Sequence, residues 1–144
     1  MTKRETLAYL AGIVDGEGYI GIKKDVVKGR GVSPIYYGRM SVAGTNRPMI
    51  DMFINFFGCG KSYLHKPSKL SKREYWSWEV SNLKCAAVLR QLYPYLMIKK
   101  PETDLVLELA KNKVKKYSVL PKDIIEYREK LYLSVKELHS FISP

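Results

Sequence analysis

The stretch LAYLAGIVDGEGYIGI, residues 7–22, constrains the fold of this chain more than any other part of the sequence. It begins as a helix of alanine, glycine and aliphatic side chains, and from Tyr19 onward it alternates like a strand. Two acids, Asp15 and Glu17, stand between glycines at the junction. Because the helix dipole disfavours carboxylates at a helix C-terminus, something other than helix stability should account for them.

A helical wheel divides this first helix into a large face and a small face. The large face, which should pack on the core of the same chain, comprises Leu7, Leu10, Ile13 and Val14. The small face comprises Ala8, Ala11, Gly12 and Asp15. Small residues let a second backbone approach closely, so two copies could pack there with their acids together around a divalent cation. The plainer alternative is an ordinary helix with a glycine C-cap and two solvated acids.

Periodicity and capping signals predict the rest of the architecture. The first helix covers residues 5–15 and is closed by Gly16, and later helices begin at Pro48, after Asn82 as N-cap, at Pro101 and at Pro121. Strands at 19–26 and 35–44, and at 61–66 and 74–81, form two hairpins. The predicted fold is therefore α+β, in the order αββαββα with extra C-terminal helices, and the helices cover one face of an antiparallel sheet.

The charge balance favours a polyanionic partner. Lys and Arg number 25 against 14 Asp and Glu, which gives a net charge of +11. Nucleic acid is favoured over a membrane because no basic amphipathic anchor helix is present in the sequence. A basic chain that is merely soluble is the alternative.

Composition indicates a globular protein, and the length fits a single domain over residues 1–144. No apolar run approaches the roughly 20 residues that span a bilayer. Asp15 and Glu17 interrupt the N-terminal apolar stretch too early for a signal peptide. Cys59 and Cys85 match no metal-ligand spacing and are expected to be reduced thiols. We therefore expect an intracellular protein of the cytoplasm or an organelle matrix, neither secreted nor bound to a membrane.

The segment LAGIVDGEG at 10–18 resembles the LAGLIDADG motif of homing endonucleases and their maturase relatives. The two are identical at Leu10, Ala11, Gly12, Asp15 and Gly18, with conservative changes at Ile13, Val14 and Glu17. The order of the predicted elements is also similar, and YPYLMIKKPE at 93–102 resembles the lysine-bearing segment of the family. The resemblance covers roughly residues 5–110.

The resemblance implies roles for individual residues. Glu17 would bind the catalytic metal where the family typically has Asp, and Gly16 would offer its backbone carbonyl. Lys99 would lie near the scissile phosphate, with Lys100 as the alternative. Arg47 would be the second polar residue of the pocket, although the glutamine of some relatives is absent at 45–47. The implied cofactor is Mg²⁺; Mn²⁺ or Ca²⁺ could occupy the same site, Ca²⁺ without supporting the reaction.

One motif per chain provides one acid, so cutting both strands of a duplex would need two chains. The resemblance thus implies a homodimer that cleaves a long, near-palindromic site in double-stranded DNA. Two alternatives use the same fold. One is an intron-encoded maturase that binds RNA, and the other is a DNA-binding regulator without catalysis.

Reading of the DNA would fall to the strands, because a β-ribbon fits the major groove. Period two places these side chains outward: Lys23, Tyr37, Arg39, Ser41, Lys61, Tyr63, His65, Tyr75 and Ser77. The core side comprises Ile20, Ile22, Val26, Met40, Val42, Leu64, Trp76, Trp78 and Val80. For Tyr37 and Tyr75, a half-buried sheet aromatic is an equal alternative.

Two basic loops, KDVVKGRG and KPSKLSKR, are predicted to grip phosphates at the outer ends of the ribbon. Their predicted DNA contacts are Lys24, Lys28, Arg30, Lys66, Lys72 and Arg73. Charged loops surrounded by solvent are the alternative. His139 in the last helix is interpreted as structural, like the two cysteines.

Overall fold

A computed structural model describes residues 1–28 and 31–142. Its α-helices are α1 (Lys3–Glu17), α2 (Arg47–Phe57), α3 (Asn82–Leu92), α4 (Lys100–Lys111) and α5 (Lys122–Ile142). Its strands are β1 (Gly18–Asp25), β2 (Ile35–Gly44), β3 (Lys61–His65) and β4 (Tyr75–Ser81). A 3₁₀ turn, Tyr93–Tyr95, links α3 to α4. The predicted α+β order αββαββα with extra C-terminal helices is confirmed.

The helix boundaries follow from local capping. Thr2 and Glu5 form a reciprocal capping box at the start of α1, with N···O distances of 2.9 and 3.1 Å. Asn46 caps α2 by accepting from the Met49 N–H at 3.2 Å. Gly58 ends α2 at φ 68°, a left-handed conformation that favours glycine.

The capping at two helix ends differs from the prediction. Helix α1 continues through Gly16 to Glu17, because its cap is the extended residue Gly18, whose N–H donates to the Val14 carbonyl. Asn82 is the first residue of α3, at φ 60°, and Ser81 occupies the N-cap position. A short polar side chain tolerates this left-handed conformation, which explains an asparagine at the sharp exit from β4.

The four strands of the described residues form one antiparallel sheet in the order β1-β2-β4-β3. In its register, Gly18 lies opposite Val42, Met40 opposite Val80, and Tyr63 opposite Ser77. Even-numbered strand residues therefore share one face and odd-numbered residues share the other. The helices pack on the even-numbered face.

The core lies between the sheet and the helices. Trp78 of β4 is fully buried and stacks on Phe53 of α2, with ring centroids 5.1 Å apart. The indole N–H of Trp78 donates to the Cys59 carbonyl at 2.9 Å, so the buried ring leaves no polar group unsatisfied. Burial of Ile20, Ile22, Met40, Val42, Trp78 and Val80 confirms the predicted core side of β1, β2 and β4.

Two predicted core residues are exposed. Leu64 is 50% exposed because β3 lies at the edge of the sheet where α2 is the main covering helix, whereas α1, α4 and α5 all pack on β1 at the opposite edge. Val26 is 63% exposed because β1 ends at Asp25, so the period-two pattern no longer applies to it.

Helix α5 packs across the helix side of β1 and β2. Leu131 and Val135 are buried there, and the ring centroids of Tyr132 and Tyr36 lie 6.0 Å apart. His139 contacts the Ile20 carbonyl through Nε2 at 3.1 Å, in keeping with its structural interpretation. In the part of the chain that the structure describes, every helix is too short or too polar to cross a membrane.

Candidate active site and nucleic-acid interface

The motif ends at a tight junction between α1 and β1. A Cβ atom on Gly18 would lie 2.8 Å from the Val14 carbonyl oxygen, so the strand can leave the helix here only with glycine. Gly16 lies in the last helical turn, where carbonyl groups lack intrahelical partners. Its carbonyl is thus available in principle as an oxygen ligand.

Asp15 accepts three backbone hydrogen bonds from the segment that precedes α4. Its carboxylate takes the N–H groups of Met97, Ile98 and Lys99 at 2.8, 3.1 and 3.0 Å. Such charge-assisted bonds are stronger than neutral ones. The first acid of the motif therefore fastens the residues just before α4 to the end of α1, and its carboxylate is engaged within its own chain.

Lys99 is brought to the same place by both its backbone and its side chain. Its Nζ donates to the Asp15 carbonyl oxygen at 2.8 Å, and its own carbonyl accepts from the Thr103 hydroxyl at 2.8 Å. Lys100 instead places Nζ 5.2 Å from the centroid of the Tyr93 ring. Of the two lysines that the sequence left open, Lys99 is the one beside the motif.

Glu17 ends α1 and is exposed. Across residues 1–28 and 31–142, no three His, Cys, Asp or Glu side chains gather closely enough in one chain to hold a metal. Arg47, at the first position of α2, pairs with Asp51 over 3.5 Å and is largely exposed. Glu17 and Gly16 thus provide oxygen donors at the α1 terminus, and Arg47 lies on another helix, paired with an acid.

The small face of α1 is exposed at Ala8, Gly12 and Gly16. Ala11 is fully buried, so the wheel assigned its face wrongly. Ala11 lies four residues after the buried Leu7, so both side chains lie on the same face of α1 and point into the core. A Cβ atom on Gly12 or Gly16 would meet no heavy atom within 4 Å.

Large apolar side chains border this exposed small face. Met97 is 87% exposed, and Ile98 and Tyr9 also present more than half of their surface to solvent. Met97 and Ile98 are attached to the end of α1 through their bonds to Asp15. Exposed small residues on α1 are thus accompanied by exposed large hydrophobic groups, two of which belong to residues bonded to the end of the same helix, a feature typical of interaction surfaces.

The odd-numbered face of the sheet, called the open face below, carries the predicted base-reading set. The strand register brings together Lys23, Tyr37, Arg39, Ser41, Lys61, Tyr63, His65, Tyr75 and Ser77. Arg39 forms an ion pair with Glu79 of β4 on this face. The sequence did not predict that pairing, because the two residues become neighbours only through the β2–β4 ladder.

A cluster of ring and hydroxyl groups lies on the β3–β4 side of the open face. The His65 and Tyr75 rings stack with centroids 4.3 Å apart and planes at 6°. His65 Nε2 lies 2.7 Å from the Ser77 hydroxyl, which is itself buried. These contacts fix the orientation of His65, and Tyr63 remains exposed beside it.

Lys24 lies on the helix side of the sheet, so the prediction that it belongs to a phosphate-gripping loop was wrong. Its Nζ donates to both carboxylate oxygens of Glu129 in α5 at 2.9 Å. The Tyr36 hydroxyl donates to the same carboxylate at 2.6 Å. The even position of Lys24 within β1 directs it toward α5 and a partner of opposite charge.

The remaining basic loop residues, Lys28, Lys66, Lys72 and Arg73, are exposed. Arg30 lies outside the described residues.

Cys85 is buried, and burial raises the pKa of its thiol to about 12, which makes it unreactive as a thiolate. No sequence pattern indicates a role for Arg128, which is buried below the sheet and donates to the carbonyls of Asn112 and Tyr36 at 2.6 and 2.8 Å.

These features define a class: an α+β protein with an antiparallel sheet open on one face, and with a carboxylate and a lysine at a helix-to-strand junction. Comparison with solved structures identifies the fold. The chain matches the homing endonuclease I-CvuI, crystallised with a DNA target in the presence of Mg, at a TM-score of 0.75 and 20% identity over 94% of this chain and 82% of that one.

Two further structures are similar. The archaeal intron-encoded homing endonuclease I-Vdi141I in complex with DNA matches at a TM-score of 0.63 and 14% identity, over 92% of this chain and 99% of that one. The meganuclease I-SmaMI bound to DNA matches at 0.70 and 14% identity, over 90% of this chain and 44% of that one. No protein-family model and no curated protein matches the sequence. The chain has the LAGLIDADG homing endonuclease fold, which confirms the resemblance at the level of structure.

Proposed function

We propose that this chain is a LAGLIDADG homing endonuclease that acts as a homodimer and hydrolyses both strands of a near-palindromic DNA site in a metal-dependent reaction. One observation carries the proposal. The Lys99 ammonium donates to the Asp15 carbonyl at 2.8 Å, and the exposed acid Glu17 follows two residues later, at the end of α1. An acid and a lysine fixed at one point suit phosphodiester chemistry, which needs an oxygen ligand for a metal and a cation for the phosphate.

The donor groups at the end of α1 fit a hard divalent cation. The Glu17 carboxylate and the Gly16 carbonyl would hold Mg²⁺, which prefers oxygen ligands and usually uses one or two carboxylates. When bound, such an ion supplies charge stabilisation and lowers the pKa of a coordinated water. Lys99 would stabilise the negative charge that develops on the phosphate, and Asp15 would keep Lys99 in position through its main-chain bonds.

The second chain would dock on the exposed face of α1. Ala8, Gly12 and Gly16 recur every four residues and allow close contact between helix backbones. Met97 and Ile98 would lose their solvent exposure in the same contact, which supplies a hydrophobic contribution. A two-fold axis along this contact would place two Glu17 residues and two Lys99 residues near each other and would match a near-palindromic DNA site.

The open face would lie on the DNA. Lys23 and Lys61 and the polar side chains around them face outward in two antiparallel ribbons, a shape that fits the major groove. Lys28, Lys66, Lys72 and Arg73 would contact phosphates from the loops. We expect the protein to act inside the cell, in the cytoplasm or an organelle matrix.

The decisive experiment is selection of cleaved sites from a randomised plasmid library in the presence of Mg²⁺. Wild type should cleave a near-palindromic sequence, and Glu17→Gln should retain binding but lose cleavage by at least about a hundredfold. Glu137→Gln, an exposed acid on α5, is the control with the same charge change and should cleave like wild type.

Two other measurements complete the test. Sedimentation of the DNA complex should show two chains per duplex, and a complex with one chain would contradict the homodimer. If wild type and Glu17→Gln bind DNA equally and neither cleaves, the protein is a regulator. If both are inert on DNA but bind intron RNA, it is a maturase.

A further inference from the structure

A cavity of about 610 Å³ lies on the helix side of the sheet, at the end of β2 that is remote from the motif. Its walls come from residues 33–38 of β2 and the preceding loop, the start of α3, the end of α4 and the following segment 112–120. This volume is within the range of about 300–1,000 Å³ that is usual for small-molecule sites. The cavity takes no part in the proposed nuclease site.

The charges around the cavity have one sign. Five cationic residues line it, namely Lys84, Lys113, Lys115, Lys116 and Arg128, and the described lining residues include no Asp or Glu. In the whole chain, by contrast, 14 acids accompany 25 basic residues. The four lysines are exposed, so they can turn toward a ligand at the opening.

Arg128 adds a buried cation to the wall. It is 5% exposed, and it donates to the Asn112 carbonyl and side-chain oxygen and to the Tyr36 carbonyl, at 2.6, 3.0 and 2.8 Å. Its Nε has no hydrogen-bond partner among the described residues. Burial lowers the pKa of the guanidinium, which donates to neutral oxygens and lies with Cζ 5.9 Å from the Tyr36 ring centroid. An anion nearby would compensate this charge.

The remaining walls suit an aromatic group. Val106, Leu109 and Leu120 provide apolar surface, and Tyr36 and Tyr117 provide rings, of which the Tyr117 ring is largely exposed. Ser33 connects segment 112–120 to the start of β2. Its hydroxyl accepts from the Leu120 N–H at 2.8 Å, and its N–H donates to the Ser118 carbonyl at 3.0 Å. The wall formed by 112–120 is thus attached to the sheet at its far end.

We propose that this cavity binds a nucleoside phosphate, with the base against the apolar and tyrosine walls and the phosphate at the lysines of segment 112–116. Aromatic stacking combined with basic side chains is the usual way in which proteins hold unpaired nucleotides. The ligand could be a free nucleotide or one nucleotide of a single strand, since both offer the same base and phosphate. The proposal does not depend on cleavage activity.

The test is calorimetric titration of the full chain with 5′-AMP, 5′-GMP, 5′-CMP and 5′-UMP, with adenosine and inorganic phosphate as separate probes. At least one nucleotide should bind saturably, and adenosine and phosphate should each bind about tenfold more weakly or worse. Hydrogen exchange should slow in 33–38 and 112–120 when the nucleotide is added. A free nucleotide that binds as tightly as a short single-stranded oligonucleotide identifies the former as the ligand, and a much tighter oligonucleotide identifies the strand.

Matched variants make the test specific. The double variant Lys115→Gln/Lys116→Gln should weaken nucleotide binding about tenfold, and Lys3→Gln/Lys130→Gln, with the same charge change at exposed positions of α1 and α5, should not. Ala110→Leu would narrow the cavity without a change of charge and should weaken nucleotide binding but not phosphate binding. No saturable binding by nucleotide or oligonucleotide, an equal loss in both lysine variants, or protection outside these segments would overturn the proposal.

Discussion

Charged side chains in the helix layer and on the open face of the sheet are held in different ways. In the helix layer, Asp15, Lys24 and Arg128 are each fixed by hydrogen bonds to other segments of the chain. On the open face, Lys61 is exposed and Lys23 is half-buried, with Nζ 5.0 Å from the ring centroid of Tyr19 in the same strand. Fixed charges stabilise the fold and position Lys99, whereas Lys23 and Lys61 of the open face are available to a polyanion; Arg39, which is paired with Glu79, is an exception on that face.

If this difference is real, the largest loss of stability should come from a charge in the helix layer. Arg128→Met keeps an apolar stem but removes the donors to two main-chain carbonyls and one side-chain oxygen. We expect the free energy of unfolding to fall by about 2–4 kcal/mol, measured by urea denaturation. The control Lys130→Met, at an exposed position of α5, should change it by less than about 0.5 kcal/mol. Equal effects would contradict the comparison.

The next largest difference in stability should be between variants of the two acids of the motif. Asp15→Asn leaves one acceptor oxygen for three backbone N–H groups, so we expect a loss of about 1–3 kcal/mol in the free energy of unfolding. Glu17→Gln, two residues further on and exposed, should leave stability within about 0.5 kcal/mol of wild type. Thermal and urea denaturation of both variants would show this. Similar losses would mean that the acids do not have different tasks.

The same contrast shows what a sequence can predict. The period-two pattern predicts which face of the sheet Lys23, Arg39 and Trp78 lie on, because alternation is a local property of a strand. The partner of Asp15 could not be predicted, because its carboxylate meets Met97 across 82 residues of sequence. The resemblance to a known motif placed Lys99 near the site, but only the hydrogen bond to the Asp15 carbonyl distinguishes it from Lys100.

The errors have physical causes of the same kind. The helical wheel places Ala11 on the small face, although its position one turn after Leu7 directs it inward. Strand phase predicts Leu64 in the core, but it does not reveal that β3 lies at the edge of the sheet with less helix cover. Lys24 was grouped with the loop by composition. Local pattern gave the elements and their faces, and tertiary contacts decided which side chains are covered.

Adjacent lysines of β1 offer a sharper comparison, with a smaller effect. Lys23→Gln should reduce the slope of log affinity against log salt for duplex DNA by about 1, because an outward lysine releases a counterion on binding. Lys24→Gln should leave that slope unchanged and lower the free energy of unfolding by about 0.5–1 kcal/mol through loss of the Glu129 ion pair. Fluorescence anisotropy over a salt series distinguishes them. A reduced slope for both would show that Lys24 leaves Glu129 for DNA.

The smallest expected effect is a pH dependence confined to the helix layer. Hydrogen bonds from the Tyr36 hydroxyl and then from Lys24 hold the pKa of Glu129 below its ordinary value of 4.5. A carboxyl with a lowered folded pKa stabilises the protein above its unfolded pKa and loses this contribution as the pH falls through the folded value. The stability difference between wild type and Glu129→Gln should therefore be present at pH 7 and shrink below about pH 4.5.

Partial exposure of the Lys24–Glu129 pair limits this difference to about 1 kcal/mol at most. Tyr36→Phe removes the hydrogen bond from the Tyr36 hydroxyl to Glu129 and leaves the one from Lys24. The folded pKa of Glu129 should then be lowered less, and stability should change less with pH than in wild type. Urea denaturation at several pH values measures both variants. A difference that grows on acidification would mean that the folded pKa of Glu129 lies above its unfolded value, so that Tyr36 and Lys24 do not stabilise the charged carboxylate.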